Sequence, residues 1–144
     1  VSLTSVRRVR ADAVAELATA SWSNALLIDN EVVMSGMTGH PATRQATERG
    51  EPLDAYTQTL VVLNKCKALV EAAGGGIHNI YRLTLYLTRI ADKDEVGRAR
   101  RDFFAGQTTL PTSTLVEVSG LVFPELCVEI EASARLDVDL RATA

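Results

Sequence analysis

The stretch that decides the fold is LCVEIEASARL, residues 126–136. Val128, Ile130, Ala132, Ala134 and Leu136 alternate with Cys127, Glu129, Glu131, Ser133 and Arg135. Successive strand side chains point to opposite faces, so this run is a strand with one dry face and one face bearing two carboxylates. A dry face needs a cover, and two helical segments supply it. Across 53–73 the apolar positions 53, 56, 60, 63 and 70, flanked by 55, 59, 62, 66, 69 and 73, form the wide stripe of a helix lying on a sheet. Pro52 stands where that helix begins, with Asp54 in its first turn, and Gly74-Gly75-Gly76 ends it. Residues 93–105 read as a second helix, with Val96, Ala99 and Phe103 inward and the arginines at 98, 100 and 101 mostly outward.

Working outward, NALLID (24–29) and VVMSGMTG (32–39) read as two strands around Asn30-Glu31. The polar segment 42–52 reads as loop. IHNIYRLTLYLTR (77–89) alternates at the strand period, with Tyr81, Leu83, Leu85 and Leu87 on one face. Residues 112–122 read as a strand that forms a hairpin with 126–136 around Phe123-Pro124-Glu125. Its Thr114, Val116 and Val118 are expected on one face, and Leu115, Glu117 and Ser119 on the face of Glu129. In the first twenty residues Val6 and Val9 suit a short edge strand and 11–18 a helical turn. Arg7, Arg8 and Arg10 suit a solvated face. The order β-β-α-β-α-β-β predicts an α+β sandwich, a mixed sheet with two helices on one face.

Composition narrows the function. The chain has 144 residues, 47% hydrophobic and 23% charged, with 15 basic and 18 acidic side chains and a net charge of −3. That length fits one domain with a core of its own. A mildly acidic domain is a poor partner for a phosphate backbone, so nucleic-acid binding is not expected. No apolar run approaches the roughly 20 residues that span a bilayer, and 1–14 lacks the apolar block of a secretory signal. Cys66 and Cys127 have no metal-ligand spacing and fit a reducing cytoplasm. Only seven residues are aromatic, so small aliphatics must do most of the packing. Leu115, Leu121 and Cys127 among the polar positions of the second face suit a subunit interface better than open solvent. At such a boundary, desolvation would raise the pKa of Glu129 or Glu131 toward the range useful for proton transfer.

Several segments together resemble a known family: VVMSGMTG, Asn64 leading to LVEAAG (69–74), LTLYL (83–87), Phe103-Phe104, Leu110-Pro111 and VEIEA (128–132). In order and spacing over about 21–136 they are similar to the RidA/YjgF family of imine/enamine deaminases, some of which carry endoribonuclease or translation-inhibitor labels. The resemblance implies a single RidA-like domain over 1–144, with 1–20 as an N-terminal extension and 21–136 as core. It further implies a chorismate-mutase-like fold and a homotrimer with ligand clefts between subunits. The family activity is hydrolysis of 2-imino acids to 2-keto acids and ammonia. Ser35-Gly36 matches the family's Ser-Gly motif, and Glu129 matches the glutamate that places or activates water. Trp22 stands in place of an upstream tyrosine. Two departures concern the substrate. Pro111-Thr112-Ser113 puts a serine where the family has a carboxylate-binding arginine, and Gly97 replaces a frequent asparagine. A hydroxyl cannot replace the bidentate guanidinium fork, so the substrate is expected to differ from the usual 2-imino acid.

The resulting expectation is a catalytic Glu129, with Trp22, Ser35, Gly36, Ser113 and Thr114 binding a small molecule and no cofactor or metal. Arg44, Arg49 or Arg135 could restore a positive charge, but nothing in the sequence places them. A ligand-binding trimer without catalysis is the alternative, and a ribonuclease the third reading, which lacks a basic stripe with interleaved aromatics. Ser113 has no nucleophile elbow around it. His40 and His78 read as surface or loop residues, and Cys66 as inert core. Gly74-Gly75-Gly76 follows a helix instead of opening one, so it is a cap and not a phosphate loop.

Overall fold

The 126–136 alternation becomes strand β6, Val128–Arg135, whose Val128, Ile130, Ala132 and Ala134 are buried. The computed structural model describes residues 1–143. Before β6 come β1 (Val6–Val9), β2 (Ala25–Ile28), β3 (Glu31–Met34), α1 (Ala42–Glu48), α2 (Ala55–Ala72), β4 (Ile80–Leu87), α3 (Lys93–Phe103) and β5 (Thr112–Glu117). The strands form one mixed sheet in the order β1-β2-β3-β6-β4-β5, with β6 antiparallel to both β3 and β4. Helices α2 and α3 pack on each other, and α2 lies over β6. The fold is α+β, with one sheet face under the helices.

The core is aliphatic. Leu63, Leu69, Ile80, Leu83, Leu85, Leu87 and Ile130 are its largest fully buried side chains. Helix α2 buries Thr59, Val62, Leu63, Cys66, Leu69 and Val70. Its dry face is therefore centred on the row 59, 62, 66, 69, 73, whereas Tyr56 and Leu60 sit at the rim. Asp54 is the N-cap and not a first-turn residue: its side chain accepts from Thr57 N–H at 2.8 Å. At the other end Gly74 has φ +106°, and Gly75 N–H donates to the Val70 carbonyl.

Four expectations change. Strands β5 and β6 make no hairpin: β5 lies parallel to β4 at the sheet edge, and β6 lies on the other side of β4. The unit β4-α3-β5 is a crossover, the connection parallel strands require. Second, the register pairs Leu85 with Leu115 and Leu83 with Ser113, so Ser113, Leu115 and Glu117 share the helix face. Thr114 and Val116 occupy the face of Glu129. Third, a register shift between Ile80 and Arg82 removes Tyr81 from the leucine face, and Ile80 is buried in its place. Fourth, 42–48 is a short helix, anchored by buried Thr43 and Ala46.

The first twenty residues are tied into the sheet. β1 pairs with β2, Val9 is fully buried, and the Asn24 amide donates to the Ala15 carbonyl at 3.2 Å. The β2–β3 turn falls at Asp29-Asn30, one residue earlier than the sequence pattern implies, with Asp29 at φ 51°.

Candidate active site

Glu129 projects from the helix-free face of β6, opposite Tyr86 of β4. Beyond β3 the chain continues beside β6, because Met37 and Ile130 exchange N–H···O bonds of 2.9 and 3.0 Å. That pairing lays Ser35-Gly36 against Glu129. A Cβ on Gly36 would overlap the Glu129 carboxylate, so this glycine gives the carboxylate its space. Glu129 is half-buried, and its pKa is raised, first by burial and then by the negative charge of Glu131. Glu131 is exposed and accepts the Tyr86 hydroxyl at 2.5 Å.

Ser35 is held from two sides. Its N–H donates to the Asn24 carbonyl at 2.8 Å, and its hydroxyl donates to the Ser23 carbonyl at 2.6 Å. The single hydroxyl proton is thus committed, and what Ser35 presents to a ligand is lone pairs, suited to accept an N–H. The same bonds bring the Trp22-Ser23 segment to this end of the sheet, where Trp22 is 56% exposed. The loop after Gly36 is anchored by Lys65 of α2, whose ammonium donates to the carbonyls of Thr38 and His40, both at 2.7 Å. Burial lowers the pKa of Lys65.

Of the residues expected from sequence, Glu129, Gly36 and Ser35 come together, with Trp22 adjoining in the chain. Thr114 shares their face but lies two strands from β6, a span of about 10 Å. Ser113 faces the helix side and does not meet Glu129 within one chain. Cys127 precedes β6 and lines a cleft at the start of α2, not the face of Glu129. Its thiol is pushed up to about 11 by burial and then by Asp92. Arg44 is taken by Glu125 at 2.7 Å and lies over the Phe123 ring, while Arg135 pairs with Asp137 and Glu31.

The sequence pattern placed Arg100 and Arg101 outward, yet both line a recess. On the helix side, between α3 and the lead-in to β5, a recess of about 160 Å³ is lined by Gly97, Arg100, Arg101, Phe104, Leu110 and Pro111. Among the described residues no carboxylate pairs with either arginine, whereas the neighbouring Arg98 pairs with Glu95 at 2.6 Å. The signal was present in helix spacing. Arg98 has Asp94, Glu95 and Asp102 three or four residues away, while Arg100 and Arg101 have no acid at those offsets. A larger cleft of about 530 Å³, lined by Asp54, Asp92, Glu95 and Glu125 with Arg89, is acidic. Among the described residues, no three of His, Cys, Asp and Glu are grouped as a metal ion would need, and no helix is long and apolar enough to cross a membrane.

A mixed sheet covered on one face, with a half-buried glutamate seated over a Ser-Gly segment on the other, defines a class of small α+β domains with a carboxylate-bearing face. Comparison with known proteins is specific. The family model described as Endoribonuclease L-PSP matches residues 13–136, and the chain belongs to this family, the family of YjgF and RidA. A crystal structure of PA3499 from Pseudomonas aeruginosa, titled as a protein of unknown function, is 68% identical, with TM-score 0.97 over 99% of this chain and 100% of that one. The 2-iminobutanoate/2-iminopropanoate deaminase of Capra hircus is 31% identical over 130 residues, 90% of each chain. Escherichia coli TdcF, solved with bound serine, is 27% identical at TM-score 0.74, covering 90% of this chain and 98% of that one.

Proposed function

We propose that this chain is a hydrolytic deaminase of a small imine or enamine, working in clefts between the subunits of a homotrimer. The observation that carries the reading is Glu129, a half-buried carboxylate of raised pKa held over Gly36 beside the lone pairs of Ser35. Such a group can take a proton from water as the oxygen attacks the imine carbon. The C=N bond becomes a carbinolamine. That step places the first proton on nitrogen; Glu129 then takes the carbinolamine hydroxyl proton and passes it to nitrogen as the C–N bond breaks, leaving a carbonyl product and ammonia. Ser35 accepts from the nitrogen, Thr114 and Ser113 contribute hydroxyls, and Trp22 closes the cleft as an aromatic wall. The goat relative's name as an iminobutanoate deaminase supports the chemistry. Because Ser113 and Glu129 lie on opposite sheet faces, both can serve one ligand only if different chains supply them. Cys66 and Cys127 are both free thiols, which suits a reducing cytoplasm.

Glu129→Ala should abolish turnover in a screen of imines and enamines coupled to ammonia detection. A variant that turns over as fast as the parent overturns the assignment. The serine at 113 favours a second reading, a trimer that binds its ligand without converting it. Tight calorimetric binding of a metabolite that the parent protein leaves unchanged would select that reading.

A further inference from the structure

Two carboxylates stand on the helix-free face, and their surroundings differ. Glu129 and Glu131 are two residues apart on β6, so both project to that side, about 7 Å apart along the strand. On the neighbouring β4, Tyr86 lies opposite Glu129 and Thr84 opposite Glu131. The Tyr86 ring nevertheless leans along the diagonal, and its hydroxyl donates to Glu131 at 2.5 Å. Among the described residues, the Glu129 carboxylate has neither a hydrogen-bond donor nor a cation beside it; burial and the charge of Glu131 both act against its ionised form. The other groups around it add no charge. The chain after β3 presents Ser35 and Gly36, β4 presents Tyr86 and Thr84, and Val116 of β5 lies beyond Tyr86. Lys65 is turned to the carbonyls of Thr38 and His40. Arg82 stands further along β4, opposite Ser133, and Glu31 pairs with Arg135 at the far end of the face. The field at Glu129 is therefore set by Glu131, and the place of Glu131 by Tyr86.

We propose that Tyr86 and Glu131 are positioning residues for Glu129: the phenol pins the Glu131 carboxylate, and that fixed negative charge makes Glu129 the member of the pair that takes and passes on the proton. The inference rests on the deaminase reading and extends its site by two residues that touch no reacting atom. Two like groups in one site divide their work when their environments differ. Here Glu131 receives the phenol and serves as the standing charge, while Glu129, with no donor, cycles. A proton arriving on Glu129 relieves the repulsion between the two carboxylates, so the pair makes Glu129 a stronger base than it would be alone.

The test is a carbon-13 NMR titration of the full chain labelled at its glutamate carboxyls, with Glu129→Ala identifying the Glu129 signal. Glu131→Gln keeps an acceptor for the phenol and removes only the charge, so the Glu129 midpoint should fall by about half a pH unit or more. Tyr86→Phe frees Glu131 to swing into solvent and should lower the midpoint by less. With Glu131→Gln already present, Tyr86→Phe should add nothing, since the phenol acts through Glu131. Glu31→Gln, which removes a charge from the far end of the same face, should leave the midpoint where it is. In a turnover assay the acid limb of kcat/KM should move to lower pH by the same amounts, variant for variant, because the base must be ionised to act. A midpoint unmoved by Glu131→Gln, or moved as far by Glu31→Gln, overturns the inference. So does an equal effect of Tyr86→Phe with and without the Glu131 charge. Moved midpoints with parent-like turnover in Glu129→Ala uphold the action of the pair on Glu129 and overturn the deaminase reading alone.

Discussion

Gly36 and Glu129 are one unit at the scale of the residue, since the absence of a Cβ on the first is the space of the second. Gly36→Ala should leave the fold intact, because no left-handed backbone is needed there, yet displace the carboxylate. The expected result is turnover lost as in Glu129→Ala, with a thermal midpoint close to that of the parent. Glu129 also carries a cost. Its folded pKa is raised above the ordinary value of 4.5, so below that value both states are protonated and nothing is lost. As pH rises through and beyond the folded pKa, the native chain holds a charge its surroundings disfavour. Glu129→Gln should therefore be more stable than the parent at neutral pH and indistinguishable from it near about pH 3 in denaturant titrations. The pairing of Ser35-Gly36 with Glu129 was legible through the family resemblance. The direction of the Ser35 hydroxyl was not, because it depends on the Ser23 carbonyl beside it at the end of the β2–β3 pair.

Among the elements, α2 shows what a local pattern can and cannot give. Its existence and its glycine stop follow from periodicity and Gly74, but its dry face is rotated toward Thr59 and Cys66. Tyr56 is apolar by composition, yet its hydroxyl donates to Asp102 and holds it at the rim. The cap at Asp54 is a separable contribution. Asp54→Ala should cost about 1 kcal/mol in chemical denaturation, the typical worth of an N-cap side chain. Thr57 N–H, the main cause, keeps the Asp54 carboxyl below its usual range. That contribution is present above the unfolded pKa and fades as pH falls through the lower folded value. Strand β5 resisted reading for another reason. TSTLVE is mostly exposed, so alternation alone does not say which side is dry. Only its pairing with β4 fixes that Leu115 joins Leu85. Helix α1 was missed because its seven polar-rich residues bury only Thr43 and Ala46 and no side chain caps its start.

For the whole molecule, the helix-free face decides. Val33 and Val116 are 43% and 41% exposed on it, beside Thr84, Tyr86, Glu129 and Glu131. An apolar scatter of this kind is what the proposed homotrimer would cover. Val116→Lys should lower the mass seen in sedimentation from three chains to one, with far-UV circular dichroism unchanged and activity lost. A parent-like mass would remove this face from the interface. The sequence pattern identified the second face correctly through Glu129 and Glu131. It misassigned Ser113 because two strands adjacent in the chain were paired with each other, when a helix crossover had placed β5 beyond β4. The division of Glu129 and Ser113 between opposite faces has one more consequence, which concerns inheritance and not geometry. If each cleft draws one half from each of two chains, a copy damaged at Glu129 and a copy damaged at Ser113 are not two equal losses. Where they assemble together, one boundary joins the sound half of each. Two inactive alleles would then complement one another, and the unit on which a mutation is judged would be the pair of neighbours instead of the single chain.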